Sequence, residues 1–211
     1  MSIKMRPMML EDLHSVMEIE PAAFGSHHWS RQSFVNELSN PRGHYFVMCS
    51  QLNDRLIGYA GFWLVGQECH ITTLAVHPAC RRLHLGERLL SHLIGECEQA
   101  GALWMTLEVR VSNEAAQRLY CKWGFKSLGV RRSYYKDNSE DALVLWTESL
   151  ASPAFRDRLD DLRARLAREP LQTGSAEHVD LDRATQPPLE LVPAHGSGVR
   201  QRCEGRADVA G

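Results

Sequence analysis

Residues 107–125, LEVRVSNEAAQRLYCKWGF, set a carboxylate (Glu108), an amide (Asn113) and a phenol (Tyr120) where one substrate could meet all three. Carboxylates and phenols exchange protons, and a side-chain amide both donates and accepts hydrogen bonds. The first five residues alternate, with Leu107, Val109 and Val111 pointing one way and Glu108 and Arg110 the other. Glu108 is therefore expected on the face opposite the apolar one. After a polar turn, Ala116, Leu119, Tyr120 and Trp123 recur at helical steps, so Tyr120 shares a stripe with packing residues, and Gly124 stops the helix. Asn113 also suits the cap of a helix starting at Glu114. The pattern by itself describes equally well a strand carboxylate paired with a neighbouring arginine and a core phenol with its hydroxyl satisfied.

A second segment, ACRRLHLGERLL over 79–90, joins a strand to a helix start, with Gly86 in the first turn. Unpaired backbone N–H groups and the positive end of the helix dipole would stabilise a phosphate or pyrophosphate there, and Arg81 and Arg82 add charge. An ordinary arginine-rich loop before a surface helix has the same composition. His77, Cys80 and His84, three and four apart, are residue types of a zinc site, but the flanking arginines repel a cation, and no metal is expected. The six cysteines include no C-x-x-C pair and sit mostly where small apolar residues fit, so disulfides are not expected.

These groups need elements to position them. A chain of 211 residues, 44% hydrophobic, can hold one well-buried domain with an appendage. A net charge of -2 gives no footprint for nonspecific nucleic-acid binding. No apolar run approaches the roughly 18 residues of a membrane span, and the N-terminus lacks the apolar core of a signal peptide. A cytoplasmic location without direct nucleic-acid or membrane contact is the expectation. All five Trp and all five Tyr precede residue 150. The pattern places the domain over 1–150, an amphipathic helix at 151–168 with Phe155, Leu159, Leu162 and Leu166 on one stripe, and a disordered tail over 169–211.

Within the domain, strands are expected at 2–6, 44–51, 55–65, 69–76, 126–135 and 141–149, in addition to the one carrying Glu108. Helices are expected at 10–19, at 31–38 capped by Ser30, and at 82–100 with Leu85, Leu89, Leu93 and Cys97 in register. Asn53-Asp54 and Asp137-Asn138 read as hairpin turns. Mostly antiparallel strands interrupted by helices predict an α+β fold, a mixed six- to seven-stranded sheet flanked by helices with a C-terminal extension.

ITTLAVHPACRRLHLGERLL, then LEVRVSNEAAQRLYCKWGF, then VRRSYYKDNSEDALVL together resemble the Gcn5-related N-acetyltransferase (GNAT) superfamily. The likeness is greatest to its branch of bacterial ribosomal-protein alanine N-acetyltransferases, and covers residues 3–148. The most specific matches are E-V-R-x-S-N with L-Y beyond the Asn, and R-R-x-Y-Y before an E-D-A strand. The resemblance implies acetyl-CoA as donor and co-substrate. Its pantetheine arm would lie along Leu74, Ala75 and Val76, and its pyrophosphate on the loop Arg81, Arg82, Leu83, His84, Leu85, Gly86 and Glu87, with Asn113 touching the pantetheine portion. The family loop carries a glycine where His84 stands. The same resemblance assigns Glu108 as base, directly or through water, and Tyr120 as the acid that protonates the leaving thiolate. It sets Trp29, within His27-His28-Trp29-Ser30, and Tyr134 and Tyr135 near the acceptor. The implied acceptor and partner is a protein N-terminus, the alanine α-amine of a small-subunit ribosomal protein. A lysine or small-molecule amine as acceptor, or a non-catalytic acyl-CoA-binding domain, are the alternatives.

Overall fold

A computed structural model of the chain describes residues 2–25 and 28–169. Among the described residues, seven strands form one sheet: β1 (Ile3–Pro7), β2 (Gly43–Ser50), β3 (Leu56–Val65), β4 (Glu68–Val76), β5 (Trp104–Arg110), β6 (Lys126–Tyr135) and β7 (Glu140–Trp146). Their spatial order is β1-β2-β3-β4-β5-β7-β6, and every adjacent pair is antiparallel except β4 with β5. That single parallel pair needs a crossover, supplied by the long helix α3 (Leu85–Gln99). The expected α+β architecture is the one observed.

The remaining helices are α1 (Leu13–Phe24), α2 (Arg31–Leu38), α4 (Glu114–Lys122) and α5 (Pro153–Arg168). Ser30, Asn113 and Ser152 cap α2, α4 and α5, each side chain accepting from a backbone N–H three residues on. Helix α3 buries Leu85, Leu89, Leu90, Leu93, Ile94 and Cys97, and α5 buries Phe155, Leu159, Leu162 and Leu166. These stripes are the ones the sequence periodicity places in the core.

Several boundaries differ from expectation for local reasons. The helix expected at 10–19 opens as a 3-10 turn, Leu10–Asp12, and α1 then runs through Pro21 to Phe24. Burial of Ala23 and Phe24 outweighs the one hydrogen bond that proline cannot make. The β2–β3 connection turns over 51–53, with Asp54 at φ 57, rather than on an Asn53-Asp54 pair. Strand β7 ends at Trp146 instead of 149, although Thr147 and Leu150 still donate to Met105 and Leu103. The tail expected to be disordered lies, from residue 170 on, outside the described residues.

Candidate active site

Two irregularities open the sheet at its centre. Gly61 pairs with Thr73 and Phe62 with Ile71, so Thr72 is an extra residue that bends β4. On its other side, β4 pairs with β5 only through Glu68–Trp104, Cys69–Met105 and His70–Thr106. Beyond His70 the two strands share no ladder, which leaves the β4 edge facing β5 without a strand partner among the described residues. A cavity of about 220 Å³ lies here. Leu74 and Val76 of β4 form one wall, and Ala116, Leu119 and Tyr120 of α4 face them. The floor is the turn holding Cys80, Arg81, Arg82 and His84 together with Leu85, Gly86 and Glu87 at the start of α3.

The turn explains why α3 begins at Leu85 and not at 82. Arg82 and His84 both have positive φ, 63° and 56°. His84 thus adopts the left-handed conformation that glycine takes without cost, at a strain of order 1 kcal/mol. Its ring is held between two carboxylates: Nδ1 hydrogen-bonds Glu87 at 2.8 Å and Nε2 lies 3.5 Å from Glu169. The first intrahelical bond runs from the Arg88 N–H to the His84 carbonyl. The N–H groups of Leu85, Gly86 and Glu87 therefore belong to the unsatisfied first turn. A Cβ on Gly86 would stand 3.6 Å from Leu119 across the cavity, so the glycine keeps that space open. Unpaired donors, an open glycine and two arginines fit an anionic group such as a pyrophosphate. Burial opposes the charge on Glu87, but Lys122 at 2.6 Å and His84 outweigh it and hold the carboxyl below its usual range. His77, Cys80 and His84 do not act as a set: His77 accepts from the Ala79 N–H and Cys80 is buried. Among the described residues no group of three His, Cys, Asp or Glu is arranged to hold a metal ion.

Glu108 alternates with Leu107 and Val109 as expected, but its face is not solvated. β5 is central, and Glu108 is only 4% exposed. His70 Nε2 lies 2.8 Å from one carboxylate oxygen and Arg131 3.0 Å from the other. The His70 approach is short yet turned off the ideal hydrogen-bond axis. Burial opposes ionisation of Glu108, while His70 and then Arg131 hold its carboxyl below the usual range.

The tyrosines gather around this carboxylate. Tyr134 and Tyr135 meet edge to face at 5.1 Å, and the Arg110 guanidinium stands 3.9 Å above the Tyr135 ring. Arg110 is fixed in turn by Asp137 and Glu140, each at 2.9 Å, which locks the β6–β7 hairpin onto β5. Burial, then Glu108, pushes the Tyr134 phenol up to about 12. Tyr120 is fully buried, its hydroxyl has no hydrogen-bond partner among the described residues, and burial followed by Tyr135 raises its phenol well above the ordinary value.

Seven of the expected residues lie off the cavity wall: Glu108, Tyr134 and Tyr135 in the cluster just described, and four others. Ala75 is buried in the core, Leu83 packs against it, and Asn113 caps α4 by accepting from the Ala116 N–H. Trp29 is core, with its ring 5.1 Å from Phe34 and 6.3 Å from Tyr45. Its backbone N–H donates to Glu20, a fully buried carboxyl that burial pushes up to about 8 against the opposing pull of Tyr59 and of the Trp29 N–H. Because the folded value exceeds the unfolded one of about 4.3, Glu20 costs stability increasingly as pH rises from there to about 8. Glu20→Gln is expected to remove an alkaline-side loss on the order of a few kcal/mol, seen as a flatter stability curve between pH 5 and 8 in urea titrations.

The bent, split strand, the anion-ready turn and the phenol beside it define an acyl-CoA-dependent transferase architecture, and the chain belongs to the acetyltransferase (GNAT) family, whose sequence pattern matches residues 10–125. It is 44% identical over 142 residues, 67% of this chain and 92% of the other, to a Bacillus subtilis (strain 168) protein provisionally named a [ribosomal protein bS18]-alanine N-acetyltransferase. It is 36% identical over 136 residues, 64% of this chain and 89% of the other, to the [ribosomal protein bS18]-alanine N-acetyltransferase of Escherichia coli (strain K12). A crystal structure of the ribosomal-protein-S18-alanine N-acetyltransferase from Escherichia coli superposes with a TM-score of 0.65 at 31% identity, covering 72% of this chain and 96% of that one. No described helix is long and apolar enough to cross a membrane.

Proposed function

We propose that this protein transfers acetyl from acetyl-CoA to the α-amine of a protein N-terminus, the acceptor being the N-terminal alanine of ribosomal protein bS18. The observation that carries the donor is the cavity between the split strand β4 and helix α4, floored by the first turn of α3. The unpaired β4 edge offers backbone groups to a pantetheine amide, and the α3 turn offers N–H donors to the pyrophosphate. Acetyl-CoA brings an activated acyl group with a thiolate leaving group. The chain has to supply a neutral amine and a proton for the thiolate.

Tyr120 lines the cavity and stays protonated at any working pH, as a donor must. The Glu108 centre sits beyond the end of the β4–β5 pairing, among Tyr134, Tyr135 and Arg131, and supplies the base. The relatives named for bS18 support the acceptor, since two of them share more than a third of their residues with this chain over nearly their whole length.

The reading is tested by incubating the protein with acetyl-CoA and peptides of the bS18 N-terminus, free or blocked at the α-amine, and following acetylation by mass spectrometry. The free peptide is expected to gain one acetyl group at its first residue. Acetylation of the blocked peptide on lysine, with the free α-amine untouched, would sink the reading.

A further inference from the structure

The geometry around Glu108 leaves no open place for an amine. Arg131 pairs with one carboxylate oxygen, the other is buried facing His70 Nε2 at 2.8 Å, and 3% of the side chain is accessible. The His70 side chain is 23% accessible and stands at the last rung of the β4–β5 ladder, where the strands part. An acceptor entering the split therefore reaches the imidazole before it can reach the carboxylate.

We infer that His70 is the group that takes the proton from the acceptor ammonium, with Glu108 as the positioning residue that orients the ring and balances the imidazolium. This rests on the N-acetyltransferase reading above and sharpens its base. With Nε2 turned to Glu108, the ring presents Nδ1, which makes no hydrogen bond among the described residues, as proton acceptor. A carboxylate behind an imidazole fixes the tautomer and stabilises the charged ring without itself being protonated. Arg131, on the far oxygen, keeps Glu108 ionised. The ring is also set from outside: its centroid is 6.1 Å from that of Trp63, whose Nε1–H donates to Glu37 at 2.6 Å, and the same carboxylate accepts from Tyr45. The charged group that meets His70 is Glu108 on β5, itself paired with Arg131 on β6, while Trp63 on β3 links the ring to Glu37 on α2.

The step balances. One ammonium proton passes to His70 Nδ1, and the freed amine nitrogen forms a bond to the thioester carbonyl carbon. The carbon–sulfur bond then breaks with its electron pair going to sulfur. The second proton leaves the nitrogen, the thiolate gains one from Tyr120, which is reprotonated by it, and the His70 proton goes to solvent. The products are amide, thiol and one proton.

The test uses the full-length protein with acetyl-CoA and whichever amine the wild type acetylates. His70→Ala is expected to lose about 100-fold or more in kcat, keep acetyl-CoA affinity within twofold by calorimetry, and regain at least tenfold with added imidazole. His70→Gln, which keeps the side chain's bulk, is expected to lose kcat similarly without rescue and to lose the acid limb of the pH profile. Full activity in His70→Gln, or a His70→Ala loss that imidazole does not restore in a folded protein, overturns the inference. A wild type that acetylates lysine alone overturns the N-terminal reading while the imidazole rescue still decides the base. A wild type that acetylates no amine overturns both.

Discussion

Replacing Tyr120 with phenylalanine is expected to lower kcat about 100-fold or more while making the free protein more stable. The two effects have one cause. The hydroxyl is fully buried on the cavity wall, with no hydrogen-bond partner among the described residues. An unsatisfied buried hydroxyl costs about 1–3 kcal/mol, and phenylalanine removes it without leaving a hole. A gain near 1 kcal/mol corresponds to a rise in melting temperature of about 2–4 °C for a domain of this size. Loss of the proton that the thiolate needs removes a general-acid contribution of about 10² to 10⁴. Acetyl-CoA affinity is expected to hold, because the ring keeps its T-shaped contact with Phe125 at 5.4 Å. Steady-state kinetics beside a thermal melt provide the check. Unchanged kcat with a higher melting temperature would mean that Tyr120 is only a packing residue.

That double prediction marks where sequence stops and structure begins. Periodicity places Tyr120 on the α4 stripe, and alternation places Glu108 opposite Leu107, both as observed. Neither rule says what faces them. Glu108 meets His70 because β4 and β5 are parallel with His70 opposite Thr106, a long-range register set by the α3 crossover, which no local pattern encodes. His70 was visible as a histidine in a strand and carried no further signal. Arg131 reads as an exposed strand-edge residue, and at 55% exposure it is one, yet its tip reaches the buried carboxylate.

The start of α3 shows the opposite failure. Leucine periodicity cannot register that Arg82 and His84 turn through positive φ, because side-chain spacing is blind to backbone handedness. The family resemblance flags position 84 as one for glycine, and the structure gives the reason: His84 takes the glycine-like conformation with its ring tied to Glu87 and Glu169. The resemblance sets Trp29 near the acceptor, and the structure places its ring in the core against Phe34 and Tyr45.

Phe155→Ala is expected to cost about 3–5 kcal/mol of stability, the range for emptying a fully buried aromatic site. Phe155 anchors the first turn of α5 against Gly124, whose φ of +92° closes the α4–β6 turn and whose missing Cβ would stand 3.0 Å from the Phe155 ring. Leu159, Leu162 and Leu166 continue the buried stripe to the far end of the helix. There Arg88 donates to the carbonyls of Leu166 and Glu169, both at 2.8 Å, and Glu169 approaches His84. Helix α5 lies beyond the residues matched by the family pattern, yet it fastens onto the first turn of α3 that floors the cavity. Loosening α5 should therefore weaken acetyl-CoA binding as well as the fold. Urea denaturation and calorimetric titration of the same variant measure both. Glu169→Gln separates the contributions: it removes an exposed charge beside His84, and because exposed pairs are worth about 0–1 kcal/mol it should leave stability nearly unchanged. A Phe155→Ala variant with lowered stability but wild-type acetyl-CoA affinity would show that the helix braces the domain without reaching its donor site.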